Sequence, residues 1–491
     1  MSAPGATIEL SLISHTNVGK TTLARTLLGR NVGEVRDAPH VTASADAHVL
    51  IETPEGDALR LWDTPGLGDS VRLARRLAQS GNPIGWFLSA VWDRWRDRPF
   101  WSSQQAIRNV REHADVVLYL VNAAEDPGEA GYVAPEMRIL EWIGKPVIVL
   151  LNQVGEPRRR AEEAAEEDRW RAHVAAHRLV RDVLTLDAFA RCWVQELVLF
   201  EAIARALPAD RQGLFARLAE RWRAQRLAAF DAAMTAIAAE LARAACDREP
   251  YDEGGLRGQL RQVGSALGLA KEAGDDARAR AMKRLAARLD EGVRATTDRL
   301  IEIHGLEGRA TTEVLARVGA DFAVEARASE GKAAALGGVV SGALTGLAAD
   351  LAAGGLTFGA GLLAGGVLGA LGGAGIARGY NVVRGAKVSA VRWSEEALDA
   401  LLATALLRYL AVAHYGRGRG EWARSEHPPF WAAEVAAVIA PRRASLAAIW
   451  AARGGDCDAP ALQAALGREL AGAARELLER LYPGALAKGG A

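Results

Sequence analysis

The sequence predicts an α/β domain, a mainly parallel sheet with helices on both faces, followed by a large all-α domain. Three observations carry the prediction. Short apolar, β-branched runs alternate with helical patterns over residues 1–207; a small-residue loop ending in Gly19, Lys20 and Thr21 joins the first such run to the first helix; and over residues 208–491 Ala, Leu, Arg and Glu dominate. The 491-residue chain is 50% hydrophobic, enough for more than one buried core. Its 60 Lys and Arg residues balance 60 Asp and Glu, so there is no strong nucleic-acid signal. Cys192, Cys246 and Cys457 lie far apart with no metal-ligand spacing and are expected to be small buried hydrophobes in a reducing compartment. The opening MSAPGATIEL has no basic segment followed by an apolar run, so no secretory signal is read and the expected location is the cytoplasm.

Taken in order, Thr7 to Ile13, TIELSLI, reads as a buried strand, and TTLARTLLG as a helix ending at Gly29. Between them runs SHTNVGKTT, Ser14 to Thr22, in the strand-to-helix setting that a phosphate-binding loop (P-loop) requires. The backbone N–H groups of Asn17, Val18, Gly19, Lys20 and Thr21 would point at the phosphates of a nucleoside triphosphate, aided by the helix dipole, with Thr22 completing the binding set. Lys20 would neutralise the terminal phosphates, and the Thr21 hydroxyl would ligate Mg2+. Ser14 stands where such loops usually begin with glycine; being small, it fits the turn at modest cost. Next, HVLIET, the turn residues PEGD and an alternating run ending at Asp63 read as a β-hairpin. From the strand end Asp63 can hold Mg2+ through water, and the Gly66 N–H of the following TPG can bond a γ-phosphate. ADVVLYLVN (Ala114 to Asn122) and KPVIVLLNQ are further strands, with a helix around APEMRILEWIG between them. DVLTLDAFARCWVQE gives the last strand and the start of the last helix of this P-loop NTPase domain.

These pieces resemble the Era-like and TrmE-like P-loop GTPases of the translation-factor class. The matching residues are N-V-G-K-T at Asn17 to Thr21, Thr42 in the loop after the first helix, and D-T-P-G at Asp63 to Gly66. The chain also resembles the bacterial subgroup that joins such a domain to a helical C-terminal domain of unknown function. The resemblance implies GTP and GDP as ligands, with Thr42 completing the Mg2+ shell as the switch I threonine and switch II following Asp63. Lys20, Thr42 and Gly66 would then be the residues at the reacting phosphate. Leu67 falls where Ras-like relatives carry the catalytic glutamine, which implies slow intrinsic hydrolysis. In cation-activated relatives, an asparagine at the Asn17 position helps hold K+. The base motif N-K-x-D reads here as Asn152, Gln153, Val154, Gly155, so Asn152 is kept, the base-reading aspartate is not, and discrimination of guanine from adenine is expected to be weak. Glu156, one residue on, is an alternative reader.

Two segments stand out. SGNPIGWFLSAVWDRWRDRPFWSS, within the insertion 80–104, concentrates Trp86, Phe87, Trp92, Trp95, Phe100 and Trp101 in a chain that is 6% aromatic. It suits a protein-effector surface or a membrane interface, or equally a helical arm packed on the C-terminal domain. Residues 333–377 carry a single charge, Asp350, with glycines at every fourth position, 338, 342, 346 and again 361, 365, 369 and 373. Such spacing suits a close-packed helical hairpin, either in a bilayer, touching membrane lipid or a membrane protein, or buried in a soluble domain. The functional readings are therefore a slow GTPase switch coupled to a helical, membrane-associated domain at or in the inner membrane; a nucleotide-binding scaffold with little turnover; and a dynamin-like remodelling GTPase. A homodimer is left open.

Overall fold

The computed structural model describes residues 5–29, 45–79, 81–89, 98–155, 158–251, 270–306, 380–384, 389–415, 428, 430–453 and 457–486. Thr42, Glu156 and the glycine-patterned stretch 333–377 lie outside these residues.

The N-terminal elements are β1 (Thr7–Ser14), α1 (Lys20–Leu28), β2 (Asp46–Glu52), β3 (Ala58–Asp63), α2 (Ser70–Leu77), α3 (Pro83–Ser89), α4 (Arg98–Glu112), β4 (Val116–Asn122), α5 (Val133–Ile143), β5 (Val147–Asn152), α6 (Arg160–Val174), β6 (Val180–Thr185) and α7 (Trp193–Ala206). The sheet runs β2-β3-β1-β4-β5-β6, parallel throughout except for the β2–β3 hairpin. Its order follows from the sequence of each strand. VVLYLV and VIVLLN, apolar without alternation, form the interior strands β4 and β5, whose side chains are buried on both faces. DAHVLIE, mixed in polarity and partly exposed, forms the edge strand β2. The parallel register pairs Leu12 with Asp63, so β1 and β3 end side by side, and this brings the loop after each to the same place.

The aromatic insertion packs on its own domain. Ile84, Phe87 and Phe100 are buried in one apolar cluster with Leu73 and Leu77 of α2 and Val110 of α4, and Trp86 covers its edge. Arg72 and Arg76 of α2 lie over the Phe100 and Trp86 rings at 5.0 and 5.7 Å from their centroids. The buried side chains Ile84, Phe87 and Phe100 of the insertion therefore belong to the core of the nucleotide-binding domain. Aromatic density alone does not name the surface on which a segment packs.

The remaining elements are α8 (Ala209–Cys246), β7 (Arg248–Tyr251), α9 (Ala270–Ile303), β8 (Tyr380–Arg384), β9 (Ser389–Trp393), α10 (Glu395–Ala413), α11 (Phe430–Ile439), α12 (Arg443–Ala451) and α13 (Ala459–Leu481). The chain divides into two compact units that do not follow chain order. The first comprises Met1–Ala228 together with Ala413–Trp422 and Leu481–Ala491, and the second comprises Ala229–Val412 and Ala423–Arg480. The first unit thus continues past the expected 207/208 boundary into α8. There Arg211 donates to Thr7 O and bonds Asp115, both at 2.7 Å, and Arg217 bonds Asp57 at 2.6 Å. From the far end of the chain, His414 Nε2 meets the Tyr482 hydroxyl at 2.8 Å, and Arg223 donates to Leu486 O at 3.0 Å.

The second unit is helical but also contains an antiparallel sheet, β7-β9-β8, whose short strands leave too little alternation to be read from sequence. Inside it a fully buried ion pair joins Arg408 to Glu240 at 2.7 Å. Cys246 and Cys457 form a disulfide across 211 residues of chain, which corrects the reading of all three cysteines as isolated hydrophobes; only Cys192 is free and buried. Distant cysteines pair when the fold brings the end of α8 beside the segment before α13, and spacing carries no trace of that. In the chain-entropy picture, closing so long a loop stabilises by about 5 kcal/mol. We expect thiol titration of the denatured, unreduced protein to find one free thiol per chain, and reductant to lower the melting temperature; three free thiols would disprove the bridge.

Candidate functional site

Where β1 ends, the chain turns through His15 to Gly19 into α1. Two residues hold left-handed backbone here, Asn17 at φ 66° and Gly19 at φ 91°. Gly19 has no room for a side chain, because a Cβ would lie 2.7 Å from Asn152 Nδ2. That amide donates to Val18 O at 2.6 Å, so Asn152, fully buried at the end of β5, clamps the loop from below. Lys20 is buried; its ammonium donates to Ser14 Oγ at 2.8 Å and to His15 O at 3.4 Å. Ser14 therefore does more than fill the place of a glycine: its hydroxyl holds the lysine.

Asp63 ends β3 facing α1. Its Oδ2 accepts from the Thr21 hydroxyl at 2.6 Å, while its buried Oδ1 has no hydrogen-bond partner. Burial pushes the Asp63 carboxyl up to about 6 against the pull of Thr21 and Lys20, and pushes the Lys20 ammonium down to about 8 against the pull of Asp63 and Glu136. A ligand that brings a polyanion to Lys20 and a divalent cation to Asp63 reverses both shifts. The unpartnered Oδ1 and the adjacent Thr21 hydroxyl are a hard-oxygen donor set of the kind Mg2+ takes, directly or through water. Thr22 is buried on α1 beside them. Gly66 packs closely: a Cβ would sit 3.0 Å from Thr16 and 3.2 Å from the Lys20 ammonium, so any larger residue would make these neighbours give way. Leu67, buried, donates its N–H to Ser14 O at 2.9 Å and pairs with His15 in a parallel bridge. On the other side, the Gly68 N–H donates to Ser103 Oγ at 3.2 Å, and that hydroxyl donates to Pro99 O at 2.8 Å.

Two groups escape sequence reasoning. His15 Nδ1 lies 2.8 Å from Oε1 of fully buried Glu136, whose Oε2 accepts from the Tyr119 hydroxyl at 2.7 Å, and the His15 ring stacks on Tyr132. The second is Asp187, on the loop after β6. That loop also meets Asn152, whose Oδ1 accepts from the Ala188 N–H at 2.8 Å. Glu136 and Asp187 are far from the P-loop in sequence and match no short motif, so only the fold could reveal them. Of the expected residues, the structure brings Asn17 to Thr22, Asp63, Gly66 and Asn152 together.

The comparisons agree with this architecture. Residues 9–153 match the family described as 50S ribosome-binding GTPase, and residues 174–453, more than half of the 491, match the domain of unknown function DUF3482. GTPase Era of Heliobacterium modesticaldum is 28% identical over 145 residues, 30% of this chain and 39% of the relative. GTPase Der of Myxococcus xanthus is 25% identical over 210 residues, 42% of this chain and 36% of the relative. The chain thus spans well under half the length of the curated relatives it matches. A crystal structure of Era in complex with MgGDPNP and nucleotides of 16S ribosomal RNA aligns at 19% identity and a TM-score of 0.31, over 42% of this chain and 58% of that one.

The Asp63 shift gives a pH test. The folded pKa, about 6, lies above the unfolded 3.8, so ionising Asp63 in the folded protein costs stability; the cost is absent below about pH 4 and complete above pH 6. Without nucleotide or metal, Asp63→Asn should raise the melting temperature at pH 7.5, and the gain should vanish near pH 4. Equal melting temperatures at pH 7.5 would show that the carboxylate is not strained by burial.

Proposed function

The chain belongs to the DUF3482 family with an Era-like P-loop GTPase domain at its N-terminus, and from that premise we propose that it is a slow GTP-hydrolysing switch whose nucleotide state is passed to its helical unit. In this reading the backbone from Asn17 to Thr21 cradles the phosphates, Lys20 leaves Ser14 to neutralise the terminal pair, and the Gly66 N–H bonds the γ-phosphate. Thr21, Asp63 and Thr42 would hold Mg2+, which would supply positive charge to the phosphates. Water attacks the γ-phosphorus, the bond to the β–γ bridging oxygen breaks, and GDP and inorganic phosphate leave. Leu67 cannot orient that water, which makes turnover slow. Asn17 would help hold a K+ ion, whose charge would take the part of an arginine finger.

The observation that carries the switch reading is the double attachment of the loop after Asp63. It is bonded on one side to Ser14 and His15 and on the other, through Ser103, to α4 and the aromatic insertion. A displacement of Gly66 by γ-phosphate would therefore move α2 to α4. The helical unit is the proposed output, and residues 333–377 are its proposed contact with a membrane, on the strength of their glycine spacing. Among the described residues no helix is long and apolar enough to cross a membrane.

Phosphate release from GTP in Mg2+ buffer tests the proposal. We expect slow steady turnover, faster in K+ than in Na+, reduced at least about a hundredfold by Lys20→Ala. Asn17→Ala should remove the K+ preference alone. Binding without turnover would favour the scaffold reading, and equal rates in the two salts would reject the cation role. In a separate flotation assay, wild-type protein should rise with lipid vesicles and a Gly342→Leu, Gly365→Leu double variant should not. Wild-type protein left at the bottom would remove the membrane from the reading.

A further inference from the structure

We propose that Asp187, on the loop after β6, reads the guanine base of the nucleotide, supplying from a neighbouring loop the carboxylate that Gly155 cannot supply from the loop after β5. The proposal rests on the GTP reading above and adds the residue that selects the base.

Guanine offers two adjacent donors, N1–H and the 2-amino group, where adenine offers an acceptor at N1 and a donor at N6. A single group that accepts from both guanine donors and repels the adenine edge is a carboxylate. Asn152 fixes where such a group must stand, because it ties three loops to one point: its Nδ2 donates to Val18 O on the loop after β1, and its Oδ1 accepts from Ala188 on the loop after β6. On the loop after β5, the next residues are Gln153, Val154 and Gly155, none of them acidic. On the loop after β6, the residue adjoining Ala188 is Asp187. Its Oδ2 accepts from Val154 N–H at 2.7 Å, and its Oδ1 accepts from Phe189 N–H at 2.7 Å. The carboxylate therefore bridges the loop that lacks an acid and the loop that carries one.

Asp187 is 5% exposed, and the partners that hold it are backbone N–H groups of Val154, Phe189 and Ala190. Burial pushes its carboxyl above the ordinary range. Burying a carboxylate on backbone donors alone is costly for a loop clamp that a serine or asparagine could provide. Three N–H donors on two oxygens leave one lone-pair position open to a ligand donor. Space is open at Gly155, next in the chain to the Val154 that Asp187 holds: a Cβ built there meets nothing within 4 Å among the described residues.

The test is equilibrium binding, in Mg2+ buffer, of GTP, ITP, XTP and ATP to the full chain and to Asp187→Asn, Asp187→Ser, Glu156→Gln and Lys20→Ala. ITP lacks the 2-amino group, and XTP carries an oxo group in its place. Wild type should prefer GTP over ITP and ATP by at least about tenfold, the size of one charge-assisted hydrogen bond. Asp187→Asn should lose GTP affinity by about ten- to a hundredfold and gain XTP, because an amide can donate to the 2-oxo group. Asp187→Ser, which still caps the loop, should lose the GTP-over-ITP preference without gaining XTP, so the reading survives a misfolded asparagine variant. Retention of the wild-type order by folded Asp187 variants, or its loss in Glu156→Gln, would overturn the assignment of Asp187. If wild type binds no triphosphate, or Lys20→Ala binds as wild type does, the GTP reading itself fails and this assignment with it.

Discussion

A lysine ammonium and an aspartate carboxylate are buried at the adjoining ends of β1 and β3, and most of what surrounds them follows from that. Burial moves each toward its neutral form, Lys20 down to about 8 and Asp63 up to about 6, so the fold carries an electrostatic debt at this one point. The parallel register of the two strands places the groups there. Gly19 and Gly66 let neighbouring backbone and side chains come close enough to bury them, and Asn152 fixes the floor. A phosphate group beside Lys20 and a cation beside Asp63 would relieve both strains together. The site is thus pre-organised for its ligand at the expense of the stability of the empty protein, a trade typical of functional sites.

Local signals were read well from the sequence. The strands after residue 114 announce themselves because β4 and β5 are apolar on both faces, and the hairpin ending at Asp63 because alternation and the PEGD turn coincide. The P-loop was legible because its chemistry depends on residues adjacent in sequence. Long-range pairings were silent. Cys246 and Cys457 are 211 residues apart, β7 pairs with β9 across more than a hundred residues, and Glu136 reaches His15 from α5. Each is fixed by topology, and nothing in residue type or spacing marks one partner for the other. The insertion is an intermediate case: its aromatic richness was visible in the sequence, while the packing of Phe87 and Phe100 against α2 and α4 depended on where the chain turned.

The base-binding side illustrates how a motif can mislead by being local. Gly155 on its own reads as a lost function, because the expected acid is judged only against the four residues from Asn152 onward. In three dimensions the loop after β6 meets the loop after β5, Asp187 accepting from Val154 N–H at 2.7 Å, and the proposal gives that acid the missing role. A residue type required at a point in space need not be supplied from the customary point in sequence.

The return of Ala413–Trp422 and of the residues after Leu481 to the compact unit that begins with β1 sets a timetable for biosynthesis. A nascent nucleotide-binding unit ordinarily closes as soon as its last strand and helix clear the ribosome. Here Tyr482 and Leu486, which bond to His414 and Arg223, are made long after α7, the last helix of the nucleotide-binding fold. At about 10 residues per second, β1 waits most of a minute for them. Over that interval the unit is unfinished, and a chain truncated before Tyr482 would carry an intact P-loop motif and an incomplete nucleotide-binding unit.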